Sequence, residues 1–566
     1  MAAETSLEII TSPHPSVKEH SHAASISLAH ASGHSTKHLR LSDIATEPTP
    51  PEDSEHGTSH MSQPYNLLFL FTDEQAASTM RAYGNDRIRC PALDRLADQS
   101  IVFRNAYVTQ SVCTPSRSSI MTGQYPHTNG CVANDIPLRA ETPCLNELGD
   151  FSAYRRAYMG KWHLGDEVFR QHGFDEWVSI DTYRNHWSAG RDRSANSDYA
   201  HWLMDQGFRP DARAPDGWET FSRGFCCRIP EQYSKPAFLA ESVGRFLRDT
   251  AQQPWLLFVN FLEPHMPYYS CRDTQYDPAD VPLPENFDAL LTEDQPLKAR
   301  LYARAYERFG HSGLPLRTDD DWRRLIANYW GLTSLVDTYV GRVLDELEST
   351  GQAERTIVVY TSDHGDMMGS HRLLAKCVQF EEALKVPLMI HMPDGRFGPP
   401  RQISHSVSQI DLVPTLLEAL GQRVPHTGLD GYSLCDWLSG RAETPTEPDV
   451  FAEWNGWNTG ILGESEQEIR ERLSKHFPDV DVETALRHIS APIRTIITPD
   501  GWKYNHSGIG EDELYRLAED RGERRNLAGD PAQRDRIADL RNRIQHWKMR
   551  TNDRSFGVQE SRAQIA

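Results

Sequence analysis

Four short apolar runs, continuous rather than alternating, frame the chain: "YNLLFLF" at 65–71, "WLLFVNFL" at 255–262, "TIVVYTS" at 356–362 and "VPLMIHM" at 386–392. Runs of this length without polar alternation predict strands buried on both faces. Helical periodicity lies between them, as in "LIANYWGLTSLVDTYVGRVLDELEST", where apolar residues recur at steps of three and four. "SQIDLVPTLLEALG" predicts a further helix, with Asp411 near its cap, Pro414 in its first turn and Gly421 at its end. Buried strands separated by helices imply an α/β fold, a large and mostly parallel sheet sandwiched by helices. Sites in such sheets form at the carboxyl ends of the strands. Three of these strands run straight into "TDEQ", "EPH" and "SDHGD".

The pattern changes twice. Residues 1–60 are rich in Ser, His, Thr and Pro and poor in large apolar residues, which predicts a solvated tail or leader, with the folded body starting near Met61. After about residue 445, "DVFAEWNG", "RTIITPDGWKYN" and "ELYRL" read as short strands, with Pro-Asp-Gly marking a hairpin. A last helix starts at Asp530 and Pro531 and carries Ile537, Leu540, Ile544 and Trp547 on one face. The expected organisation is a catalytic domain over 61–444 and a smaller α+β subdomain with a small antiparallel sheet over 445–566. There is no internal repeat.

Composition narrows the function. A formal charge of −21 argues against binding nucleic acid by neutralising phosphates. No apolar run reaches the length of a membrane span, so no membrane partner is expected. The N-terminus lacks a basic start followed by an apolar stretch. With that, nine unevenly spaced cysteines predict reduced thiols in a cytoplasmic protein. Cys226 and Cys227 are too close for an unstrained bridge.

Cys113 stands out. Alone, a cysteine is most simply a buried structural residue. A phosphatase-like nucleophile is another reading, but Arg117 lies too close for a loop wrapped around phosphate. Cys113 opens a predicted helix, where backbone N–H groups and the dipole favour an anion. "CTPSRSSIMTG" resembles the signature of the sulfatase family, in the alkaline phosphatase-like superfamily, with Ile120 where Leu is usual. The resemblance runs from about Tyr65 to Ala528. It implies that a formylglycine-generating enzyme oxidises Cys113 to formylglycine. The hydrated aldehyde then attacks sulfur or phosphorus, forms a covalent ester, and expels the anion with its second hydroxyl.

The same resemblance assigns further residues. Asp73 and Glu74 of "TDEQ", with Asp363 and His364 of "TSDHGD" and the converted Cys113, would hold one divalent cation. Glu74 is longer than the usual Asp. His364 replaces a common Asn, as in choline sulfatases and phosphonate monoester hydrolases. Carboxylates favour Ca2+, and the histidine brings Mn2+ into consideration. Arg117 would stabilise the nucleophile. Lys161 of "MGKWHLG" would hold the substrate anion, and His163 would act as base in the elimination. His265 of "FLEPHMPY" and Lys376 of "SHRLLAKCVQFEE" would bind ester oxygens and protonate the leaving group. Asn134 of "CVANDIPL" is a candidate substrate contact suggested by the phosphonate hydrolases.

The expected activity is hydrolysis of small-molecule sulfate monoesters. The alternatives are a phosphonate monoester or phosphodiester hydrolase using the same nucleophile, and a non-catalytic sulfatase-like binding protein. Lys161 and His163 favour the sulfatase. The leaving group stays open between aryl, carbohydrate and choline. Segments 166–235 and 268–325 are expected to shape the pocket, and homo-oligomers are expected by analogy.

Overall fold

A computed structural model describes residues 64–181, 195–208, 229–311, 313–456, 460–463 and 465–555. The expectations for residues 1–60 and for Cys226 and Cys227 lie outside the described residues.

Eight strands form one sheet: β1 (Asn66–Asp73), β2 (Ile101–Tyr107), β3 (Arg155–Gly160), β4 (Glu176–Ser179), β5 (Trp255–Pro264), β6 (Thr356–Ser362), β7 (Lys385–His391) and β8 (Arg401–Ser408). Their order is β4-β3-β5-β1-β6-β7-β2-β8. Neighbours are parallel except around β7, which runs antiparallel to both β6 and β2. The sheet is α/β and mostly parallel, as the apolar runs imply.

Both faces of its centre are covered. Along β1, Leu67, Phe69 and Phe71 enter one core while Leu68 and Leu70 enter the other. A strand with two apolar faces has no polar alternation, which is why its sequence reads as a continuous run. The helix Lys235–Asp249 and the 31-residue helix Asp319–Ser349 pack on each other and on β5. The long helix starts in a capping box, Thr318 with Asp321.

A second, antiparallel sheet has the order β12-β11-β10-β9, from β9 (Val450–Trp454), β10 (Ile493–Ile497), β11 (Trp502–Ser507) and β12 (Glu513–Arg516). Pro499-Asp500-Gly501 makes the turn between β10 and β11, with Gly501 at φ +82°. The last helix, Arg534–Thr551, buries Leu540, Ile544 and Trp547 against Phe451, Ile496, Trp502 and Tyr504 of this sheet.

The helix Leu412–Ala419 forms with Asp411 at its N-cap position, although the Asp411 side chain makes no capping bond. Its carboxylate accepts the Tyr432 N–H at 2.9 Å, and a short 3-10 turn over Gln409–Asp411, capped by Ser408, leads into the helix.

Candidate active site

The strands β5, β1 and β6 are sheet neighbours running in one direction, so their carboxyl ends lie side by side. Asp73 ends β1, Asp363 and His364 follow β6, and His265 follows β5. Residues far apart in sequence thereby share one edge, as the strand spacing of parallel sheets requires. Glu74 leaves β1 at φ +67°, its backbone N–H on Asp363 Oδ1 (3.0 Å) and its carbonyl on the Tyr329 hydroxyl (2.6 Å). Such a conformation in a non-glycine residue is strained and persists only where surrounding bonds hold it.

Cys113 is the first residue of the buried helix Cys113–Thr122, whose N-terminus has no side-chain cap. The N–H of Thr114 goes to Asn134 Oδ1 at 3.0 Å. Asn134 is thus beside Cys113, its side-chain amide oxygen already engaged. Arg117 lies one turn along the helix and is 1% exposed. Its guanidinium donates to Asp363 Oδ2 (2.8 Å), Asp73 Oδ2 (2.9 Å), Asn260 Oδ1 (3.1 Å) and the Lys161 carbonyl (2.8 Å). It fastens two carboxylates, each by a single N–H, and the start of the Lys161 turn, using the several fixed donors that a guanidinium offers.

Around Cys113 Sγ stand Lys376 Nζ at 3.2 Å, His364 Nε2 at 3.3 Å and Asp73 Oδ1 at 3.8 Å. Lys376 also reaches Glu74 Oε2 at 3.2 Å, and His265 Nε2 lies 3.5 Å from the same oxygen. Lys161 pairs with Asp73 Oδ2. Lys161 follows Gly160, at φ +116°, where any Cβ would stand 2.0 Å from the Asn260 carbonyl oxygen. His163, at φ +56°, has its ring 3.8 Å from the half-exposed Asp135. All of the proposed site residues therefore converge, and Cys113, Asn134, Lys161, His163, His265 and Lys376 line one cavity of about 580 Å³.

The electrostatics follow from that crowding. Burial alone would raise the Cys113 thiol, but Lys376, Lys161 and His364 outweigh it and hold its pKa well below the ordinary value. Burial pushes Glu74 up to about 8 despite Lys376, and burial with Lys376 pushes His265 down to about 3. His364 rises to about 9 because Asp363 overcomes its burial.

Asp73, Cys113, Asp363 and His364 are all buried with their donor atoms within 4.8 Å of one another. Glu74 Oε1 is buried and has no hydrogen-bond partner among the described residues. Hard carboxylate oxygens plus one imidazole, with an orphaned oxygen beside them, fit a divalent cation. A cation there would also reverse the unfavourable burial of Glu74.

The family model for sulfatases matches residues 65–422. The chain belongs to the sulfatase family. This sulfatase-family enzyme, a hydrolase, is similar to the multifunctional alkaline phosphatase superfamily protein PehA of Trinickia caryophylli, 28% identical over 515 residues, 87% of this chain and 96% of that protein. It is also similar to a choline-sulfatase of Rhizobium meliloti, 27% identical over 523 residues, 88% of this chain and 89% of that protein. Among solved structures, the phosphonate monoester hydrolase SpPMH from Silicibacter pomeroyi shares the fold at TM-score 0.68 and 25% identity, covering 86% of this chain and 96% of that one.

Several residues around the site carried no assigned role in the sequence. Asn260 sits inside β5 and joins Arg117 to the Phe71 carbonyl (3.0 Å). Asp366, next to the Asp-His pair, accepts the Tyr268 hydroxyl (2.7 Å) and the Ala375 N–H (2.8 Å), which shapes the loop that presents Lys376. His371 Nδ1 stands 2.9 Å from the Ala289 carbonyl oxygen. The segment 268–325 contributes Tyr302, Tyr306 and His311 to the cavity wall. Ile461, Ile469 and Arg472, from beyond residue 445, line it too.

Proposed function

We propose that this enzyme hydrolyses sulfate monoesters of small molecules, with formylglycine made from Cys113 and one divalent cation held by Asp73, Glu74, Asp363, His364 and the converted Cys113. The observation that carries the reading is the placement of Lys161 and His163 on the same cavity as Cys113, Lys376 and His265. Oxidised and hydrated, Cys113 would supply one hydroxyl to attack sulfur and a second to expel the sulfate. The cation would polarise that group and neutralise the transferred anion; Ca2+ is favoured by the carboxylates and Mn2+ is the alternative.

The chain's own residues divide the remaining work. Arg117 holds Asp73 and Asp363 in place. Lys161 and Lys376 bring two ammonium groups to the anion, where a low-dielectric cavity strengthens them. His163 is the base for the second hydroxyl. His265, kept neutral by burial and Lys376, binds an ester oxygen and with Lys376 assists the leaving group. Maturation requires a formylglycine-generating enzyme, and a cytoplasmic, homo-oligomeric protein is the expected setting. Among the described residues no helix is long and apolar enough to cross a membrane.

A second reading, phosphonate monoester or phosphodiester hydrolysis by the same nucleophile, is favoured by Asn134, which stands against the Cys113 helix, and by the likeness to SpPMH. The test is a side-by-side kcat/KM for an aryl sulfate and an aryl phosphonate monoester. The protein is co-expressed with a formylglycine-generating enzyme, and Cys113→Ala serves as blank. A lead for the sulfate is expected. A lead for the phosphonate favours the second reading, and full turnover by Cys113→Ala removes the nucleophile altogether.

A further inference from the structure

The turn Lys161–His163 is held by side chains rather than by a regular ladder. The Lys161 carbonyl accepts from Arg117 (2.8 Å) and from the Tyr158 hydroxyl (2.5 Å). The His163 carbonyl accepts from Thr114 Oγ1 at 2.8 Å. The two N–H groups between them, of Trp162 and His163, both go to one carboxylate: Glu167 Oε2 at 2.7 Å and Oε1 at 2.7 Å. We propose that Glu167 is a positioning residue, whose two oxygens clamp the Trp162 and His163 amides and so aim the Lys161 and His163 side chains at the ester. The inference rests on the reading above that these two side chains face the substrate.

Three observations support it. Glu167 is 1% exposed, so water does not compete for its oxygens. His163 is held at φ +56°, a conformation that relaxes unless bonded from both sides, here by Glu167 at its N–H and Thr114 at its carbonyl. The carboxylate is also costly where it stands, since burial and nearby Asp181 push its pKa up to about 7. Two backbone amides could be satisfied by water or a neutral acceptor at less cost. Both oxygens bonding within a single turn is the geometry by which a carboxylate fixes backbone orientation, and misplacing a reacting group by ~1 Å costs roughly a hundredfold in rate.

The test uses Glu167→Gln and Glu167→Ala in formylglycine-bearing enzyme. Glutamine keeps the volume and one acceptor but turns an N–H2 donor toward the other amide. The expected result is a fall in kcat/KM of roughly ten- to a hundredfold, with the melting temperature of the glutamine variant little changed. Amide hydrogen exchange of a peptide spanning 159–165 should rise. In a Lys161→Ala, His163→Ala background the same substitution should cost almost nothing more, since the groups it aims are gone. Loss of equal size in both backgrounds, no loss in either, or unchanged exchange would each overturn the proposal. The cycle is run on whichever aryl ester, sulfate or phosphonate, the wild type cleaves faster. A wrong choice of ester class therefore shows in the wild-type comparison and leaves the cycle readable; the exchange readout needs no substrate at all.

Discussion

At the scale of single residues, the site depends on a few positions that tolerate no alternative. Gly160 combines φ +116° with a backbone approach so close that an added methyl would stand 2.0 Å from the Asn260 carbonyl oxygen, whereas Gly84, at φ +106°, has open space around it. Gly160→Ala should therefore lower stability by at least about 2 kcal/mol, strain plus overpacking, and reduce kcat/KM by moving Lys161. Gly84→Ala should cost only the strain, about 1 kcal/mol, and leave activity unchanged. Urea titration and steady-state kinetics on the pair check this, and equal effects from both would refute it. Asp73, Asp363 and His364 drew notice in "TDEQ" and "SDHGD" after apolar runs, and Cys113 in "CTPSRSSIMTG", with their proposed roles resting on the resemblance of those motifs to the sulfatase family. Glu167 and Asn260 were not, because a carboxylate in a turn and an amide in a strand are ordinary until the partner across space is known.

Among the elements, local pattern predicted β1, β5, β6 and β7 to within about three residues at any end, since each is a continuous run with two buried faces. β3 and β4 sit towards an edge and have half-buried positions, so they give no such run. How elements are fastened was also invisible. Directly after the Cys113 helix, His127 binds Glu453 of β9, its N–H on Oε1 at 3.0 Å and its ring Nδ1 2.5 Å from Oε2. The pair makes a pH prediction. Against its burial, Glu453 raises the His127 pKa above the ordinary 6.5, so its stabilisation is complete below that value and fades as pH rises through the folded one. Glu453, against its own burial, is lowered from 4.5 by His127, so its stabilisation is complete above 4.5 and fades as pH falls. The stability difference between wild type and His127→Gln should thus peak between about pH 4.5 and 6.5. Urea midpoints measured from pH 4 to pH 8 would show the peak; a flat difference would remove the pair from the account.

For the molecule as a whole, the formal charge of −21 and the local cations pull in opposite directions. Arg117, Lys161 and Lys376 sit at one edge of the sheet with three carboxylates, so the charge an anion meets there is set by these local groups rather than by the net charge. Removing the cation leaves Asp73, Glu74 and Asp363 facing one another in a buried space. Chelation should therefore lower the melting temperature, and adding Ca2+ or Mn2+ should restore it. Saturation to a hundred times Kd corresponds to about 2.7 kcal/mol. Measured with every ligand residue intact and no ester present, the shift is independent of turnover, and the ion acting at lower concentration identifies the better fit. No shift with either ion would dismiss the cation.

The α/β class, the strands at the sheet centre, the family and the residues with conspicuous chemistry can all be read from the chain alone, because buried strands and short motifs are local properties. Which of those residues share a cavity, that Arg117 binds two metal-type carboxylates at once, and that Glu167, Asn260 and Asp366 orient their neighbours emerge only once the chain is folded. Those facts depend on strand order: β1 lies between β5 and β6, and contact across a sheet is fixed by that order rather than by separation along the chain.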